Sequence, residues 1–280
     1  MSQTNEWLTV ERRDAPLLLS FPHTGTDIPE RYTEDLVSVV RARKDADWWI
    51  DRLYAFARDL GATFIHTKVS RTVIDVNRDP SGASLYPGQA TTGLCPTTTF
   101  DGEPLYRAGR EPDATSIAAR RSSYFDPYHA ALTNEVARLK AAHSCIVVYD
   151  CHSIRSVIPR LFEGTLPNFN IGTNSGKSCA LDLATAVDAA CRSDQFTRVV
   201  NGRFKGGWIT RSLGKPADGI HAIQMELACR GYMSERLGSV PDNDWPTPWD
   251  QAFAEPITLH LRQVMEACLA FARTQAGIAR

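Results

Sequence analysis

The sequence has no surplus of basic residues, no apolar run long enough to cross a membrane, no C-x-x-C pair and no internal repeat or low-complexity tract. Each absence removes a class of function. Nucleic acid and anionic membrane surfaces favour basic partners, and here 31 Lys and Arg stand against 32 Asp and Glu, a formal net charge of −1. Neither partner is therefore expected. Seven cysteines, an odd number without paired spacing, read as reduced thiols rather than a disulfide framework. The opening residues, MSQTNEWLTVERRD, lack the apolar segment of a signal peptide. With the reduced thiols this points to a cytoplasmic protein; a monomer or small homo-oligomer is expected, and the sequence does not choose between them. The G-x-S-x-G elbow of serine hydrolases is also missing. Cys151 adjoins His152, and adjacent strand side chains point apart, so a thiol nucleophile using that imidazole as its base is not set up.

What is present suits a globular enzyme: 280 residues, 43% of them hydrophobic, are enough for a substantial core. The run Ile146 to Tyr149 predicts a buried strand of a parallel sheet, leading into a turn that carries Asp150, Cys151 and His152. Pro16 to Phe21 predicts a second strand, followed by His23 in a turn-rich stretch. Trp49, Leu53, Phe56 and Leu60 share one helical face, with Asp45 or Asp47 as cap and Gly61 as stop. Strands are predicted over 62–69, 72–77 and 221–228, and helices near Pro127, around Leu183 and Val187, and along Ile257, Leu261, Val264 and Cys268. Residues 79 to about 115 form one long loop, a binding loop or a surface insertion, and the stretch from His152 to Ser178 also reads as loop. Alternating strands and helices without a linker predict a single α/β domain, a sandwich with a mixed, largely parallel sheet.

His23 and His152 both follow apolar strands, at the sheet end where open α/β folds bind ligands. Two imidazoles and one carboxylate make a common catalytic zinc set. Asp45, Asp47 and Asp51 are the carboxylates at hand, and spacing alone favours Asp47 as an N-cap. Glu226 lies inside the apolar strand Ile-Gln-Met-Glu-Leu-Ala, where a carboxylate is costly unless paired or functional, and it can serve as general base. Period two puts it on the face of Gln224 and leaves His221 on the other as a core or edge histidine. Arg71 and Arg78 flank an apolar segment; they suit an acidic small-molecule substrate, or an internal salt bridge with Asp75 or Asp79.

Taken in order, Phe-Pro-His23-Thr-Gly, Asp45-Ala-Asp47-Trp, Ser-Arg71-Thr-Val-Ile-Asp-Val-Asn77-Arg78-Asp-Pro, Tyr-Asp-Cys-His152-Ser, Gly206-Gly-Trp-Ile-Thr-Arg211 and Gln224-Met-Glu226-Leu resemble the N-formylglutamate amidohydrolases. The resemblance implies a three-layer α/β/α sandwich like that of zinc exopeptidases, related to the zinc carboxypeptidases and aspartoacylases. It implies one catalytic zinc per chain held by His23, Asp47 and His152, with Glu226 as general base. Asn77 and Arg78 are implied as the pair that holds a substrate carboxylate. A second carboxylate needs a second cation, for which Arg71 and Arg211 are the candidates. The implied reaction is zinc-dependent hydrolysis of N-formyl-L-glutamate to formate and L-glutamate, the closing step of a histidine-degradation route. One departure is Thr26, which stands where those relatives carry the glutamate of a His-x-x-Glu ligand pair. The alternatives are deacylation of another N-acyl amino acid, such as formylaspartate, and a non-catalytic binding protein of the same fold.

Overall fold

The computed structural model describes residues 2–4, 6–238 and 240–278. Eight strands, β1 (Ser2–Thr4), β2 (Leu8–Glu11), β3 (Leu17–Phe21), β4 (Thr63–Thr67), β5 (Ile146–Ile154), β6 (Phe169–Gly172), β7 (Arg198–Val200) and β8 (Ile220–Ala228), form one sheet among the described residues. Their order is β1-β2-β4-β3-β5-β8-β6-β7. The central run β4-β3-β5-β8 is parallel throughout, and β6 joins β8 antiparallel. The sheet is therefore mixed around a parallel centre.

Alternation along the central strands explains the layers. Leu17, Leu19, Val147 and Tyr149 belong to one apolar cluster, whereas Leu18, Ile146 and Val148 belong to another on the opposite face. A strand covered on both sides must be apolar at every position, which is why these segments read as unbroken hydrophobic runs. Eight α-helices lie among the described residues: α1 (Glu30–Thr33), α2 (Val39–Arg43), α3 (Ile50–Leu53), α4 (Ala114–Arg120), α5 (Asp126–Ala142), α6 (Leu181–Ala190), α7 (Trp208–Leu213) and α8 (Gln251–Ile278). Tyr128, Leu132 and Leu139 of α5 cover one face. Leu183 and Val187 of α6, with Ile257, Leu261, Val264 and Cys268 of α8, cover the other. The result is the α/β/α sandwich.

The structure corrects four sequence expectations. Residues 72–77 form no strand but a buried series of turns, because side chains satisfy the backbone locally: Ser70 Oγ accepts from Thr72 N and Asp75 Oδ1 from Asn77 N. The helix expected from Asp45 to Leu60 is split into α3 and a 3₁₀ turn, Ala55–Arg58. Its cap is Trp49, held in the left-handed region at φ 64°, so Asp47 caps nothing and stays available. β5 runs five residues beyond Tyr149, which places His152 within a strand and not in a turn. β6 lies in the stretch read as loop.

Candidate metal centre and substrate cleft

Three close approaches assemble the site. Gly25 follows the β3 turn so tightly that a Cβ there would lie 2.4 Å from the carbonyl carbon of Lys68, so glycine lets the His23 turn dock on the end of β4. The His23 carbonyl then accepts from Asp47 N at 2.9 Å, tying the two side chains together through the backbone. In the parallel register of β5 and β8, His152 pairs with Glu226 and Asp150 with Gln224. Period-two alternation puts all four side chains on one face.

His23, Asp47 and His152, all buried, offer ligand atoms within 4.8 Å of one another. The Nδ1 of His152 lies 3.0 Å from Asp47 Oδ2, and that of His23 lies 3.6 Å from the same oxygen. Each imidazole uses its other nitrogen on a second carboxylate, His23 Nε2 on Asp75 at 2.7 Å and His152 Nε2 on Asp150 at 2.9 Å. A carboxylate behind each ring holds the hydrogen on Nε2, so Nδ1, which faces Asp47, is the nitrogen at which a cation would replace a proton.

Charge confirms how tightly the cluster is coupled. Burial would raise the Asp47 carboxyl, but the charge and hydrogen bonds of His23 and His152 hold it below the usual carboxylate range. Asp75 behaves alike: burial is outweighed by Arg78, His23 and Arg71, and its carboxyl sits well below the usual range. Conversely, burial would lower His152, yet Asp150 and Asp47 hold its imidazole well above the ordinary value. Asp47 Oδ1 is buried with no hydrogen-bond partner. An orphaned buried carboxylate oxygen beside two imidazole Nδ1 atoms is a donor set for a divalent cation, and two imidazoles with one carboxylate suit zinc.

A cleft open to solvent has His23, His152 and Glu226 in its lining together with Arg71, Arg78 and Arg203. Glu226 is buried, and burial pushes its carboxyl up to about 8. Gln224 steadies it: Nε2 donates to Glu226 Oε2 at 3.2 Å, and Oε1 accepts from Gly207 N at 2.7 Å. Asn77 also lines the cleft, and its amide is engaged at both ends. Nδ2 donates to Asp150 at 3.0 Å and lies 2.8 Å from His152 Nε2, while Oδ1 accepts from Ile209 N. Gly207 packs against that amide so closely that a Cβ would come within 2.4 Å of Nδ2.

Four arginines differ in how they are held. Arg71 is buried, donates to Asp75 at 2.6 Å, lies 3.8 Å from Asp47 and rests over the Phe100 ring. Arg78 is 3.6 Å from Asp75 and donates to the carbonyl and hydroxyl of Thr92. Arg211 does not line the cleft; its Nε donates to the Gly206 carbonyl and its guanidinium stacks on Tyr86. Arg203, passed over in the sequence, lines it instead. Thr26 contributes its carbonyl to Arg43. His221 is a core histidine: Nδ1 accepts from Ala180 N and the ring meets Phe271 edge-on.

Asp75 and Asp150 were not singled out as histidine partners either. Asp150 had a signal, since it lies two residues before His152 on the same strand face. Asp75 had a weaker one, as a salt-bridge partner for arginine.

The family model for N-formylglutamate amidohydrolase matches residues 15–233 of this chain. The chain belongs to that family. The span matched takes in every candidate residue from His23 to Glu226. Among curated relatives of the N-formylglutamate amidohydrolases, the N-formylglutamate deformylase of Pseudomonas aeruginosa is 43% identical over 270 residues, covering 96% of this chain and 98% of that protein. The N-formylglutamate deformylase of Pseudomonas putida is 42% identical over 257 residues, covering 91% and 93%. The crystal structure of an N-formylglutamate amidohydrolase from Ralstonia eutropha JMP134 superposes with a TM-score of 0.75 at 23% identity, covering 96% of this chain and 98% of that one, which shows the shared fold.

Proposed function

We propose that this chain hydrolyses N-formyl-L-glutamate to formate and L-glutamate, as a cytoplasmic enzyme of histidine degradation that carries one zinc ion. Residues 1–280 act as one catalytic unit. The observation that carries the proposal is the placement of a buried carboxylate, Glu226, beside the His23–Asp47–His152 cluster in an arginine-lined cleft. Curated relatives at 42–43% identity bear the name of that reaction.

The two Nδ1 atoms and the Asp47 carboxylate would hold the metal. Zinc bound there supplies a Lewis acid for the formyl carbonyl and lowers the pKa of a water to about 7. The protein's own residues do the rest. Asp75 and Asp150 keep both imidazoles aimed at Asp47. Glu226 is the general base: one oxygen is held by Gln224, and the other is left to accept the proton of the attacking water and return it to the leaving amine. Burial raises the Glu226 carboxyl, which makes its ionised form a stronger proton acceptor. Arg78 grips a substrate carboxylate, Arg71 pairs with Asp75 and Asp47 behind it, and Asn77 holds the wall between His152 and α7.

Hydrolysis rates on N-formyl-L-glutamate, N-formyl-L-aspartate and N-acetyl-L-glutamate test this reading. The expected order is formylglutamate first by at least tenfold. Equal rates on all three refute the substrate assignment, and a faster rate on either of the others makes the protein a different N-acyl amino acid deacylase.

A further inference from the structure

Of the three arginines lining the cleft, two already have carboxylate partners. Arg71 is neutralised by Asp75 and Asp47, and Arg78 faces Asp75. Arg203 is in no ion pair among the described residues: its guanidinium donates to two neutral carbonyls, Nε to Leu161 O and Nη2 to Ala90 O, both at 2.8 Å. Its guanidinium stacks on the rings of Tyr86 and Phe204 at 5.3 and 5.2 Å. A half-buried cation in no ion pair is costly, Glu226 being the carboxylate that acts on it from a distance, and the fold nevertheless fixes it by two hydrogen bonds and two rings. Burial lowers its pKa, outweighing the opposite pull of Tyr86 and Glu226. Tyr86 is itself anchored, its hydroxyl donating to the Gly206 carbonyl and accepting from Lys205 N. The guanidinium is thus pre-oriented, with Nη1 uncommitted, as a site for a planar anion.

Position separates its task from that of Arg78. Arg78 follows Asn77, which touches His152, so it sits next to the reacting centre. The α-carboxylate of an N-acyl amino acid is borne on the carbon attached to the scissile nitrogen and belongs there. Arg203 lines the same cleft, is held by the Leu161 and Ala90 carbonyls rather than by Asp75, and is thus the cation left to meet a side-chain carboxylate two methylenes further out.

We propose that Arg203 is the specificity-determining residue that receives the side-chain carboxylate of the substrate. This deepens the proposed function and rests on it for the identity of the ligand. The test is calorimetric binding of L-glutamate and L-glutamine to the zinc-loaded full chain, wild type and Arg203→Gln, alongside kcat/KM on N-formyl-L-glutamate and N-formyl-L-glutamine. Loss of one charged hydrogen-bonded pair changes a ratio of this kind by about 100-fold. The wild-type preference for glutamate over glutamine, in binding and in turnover, should collapse by that factor in the variant. An unchanged preference, or an equal loss on both ligands, overturns the proposal. Arg203→Lys guards against a misfolded variant: it keeps the charge and must keep a glutamate preference of at least tenfold, and its absence also overturns the proposal. Wild type that binds glutamate through Arg203 yet hydrolyses no formylglutamate would leave this inference standing and remove the proposed reaction instead.

Discussion

Replacing Asp75 by asparagine should damage metal binding and stability together, although Asp75 is not itself a metal ligand. Its carboxylate sits at zero exposure and serves four groups: His23 Nε2 at 2.7 Å, Arg71 at 2.6 Å, Arg78 at 3.6 Å and the backbone of Asn77 at 2.9 Å. Asparagine keeps the shape and the acceptor for the Asn77 amide but removes the charge. Arg71, itself buried, would then have only Asp47 at 3.8 Å. Breaking a buried pair on one side costs roughly 3–5 kcal/mol. Losing the partner that orients a ligating imidazole weakens metal binding by about 10- to 100-fold. The sign with pH follows from the depressed Asp75 pKa. A carboxyl held below its ordinary value of 3.8 stabilises the fold above that value, and the contribution is lost as pH falls through the native pKa. Wild type should therefore exceed Asp75→Asn in stability at pH 7, with the gap narrowing on acidification below 3.8. Urea unfolding of metal-free protein at several pH values, with zinc competition titrations at pH 7, measures both effects. A variant within about 1 kcal/mol of wild type at pH 7 and with unaltered zinc affinity would refute the reasoning.

Glu226→Gln should retain zinc and lose turnover by at least about 100-fold, the usual share of a general base; activity within threefold of wild type would remove Glu226 from that role. Gly207→Ala drives a methyl into the Asn77 amide, which holds both Asp150 and the His152 side of the site. It should lower kcat more than tenfold, and unaltered kinetics would show that this contact is not needed. All seven cysteines are buried. Burial raises the Cys179 and Cys191 thiols to about 12, so native protein should resist a disulfide reagent that labels all seven after denaturation, and prompt labelling of the native state would contradict the packing described.

Where local pattern and tertiary demand agreed, the structure could be read in advance. β3, β5 and β8 are apolar because both of their faces are covered, and their carboxyl ends deliver His23, His152 and Glu226 as alternation requires. The buried stripe of α8 was legible from its 3.6-residue period. The misreadings have separate causes, the first being side chains that replace backbone pairing. Val73, Ile74 and Val76 look like a strand, but Ser70 and Asp75 bond the adjacent amides and fold the segment into turns. Trp49 breaks a well-patterned helix by adopting a left-handed conformation, which no composition rule for a bulky residue announces. β6 escaped because four residues between Asn168 and Thr173 carry too little pattern. Of the two arginines bracketing Gly206 and Gly207, the sequence pointed to Arg211, while the turn of the chain presents Arg203 to the cleft. Which of two neighbouring arginines faces a site is set by loop geometry, and residue type is silent on it.

Metal content measured together with turnover tests the central claim most directly. Protein stripped by chelation and titrated with zinc should regain hydrolysis of N-formyl-L-glutamate in proportion to bound metal, reaching a plateau at one ion per chain, and Asp47→Ala should abolish both binding and activity. Full turnover by the metal-free chain, or undiminished zinc binding by Asp47→Ala, would contradict the account.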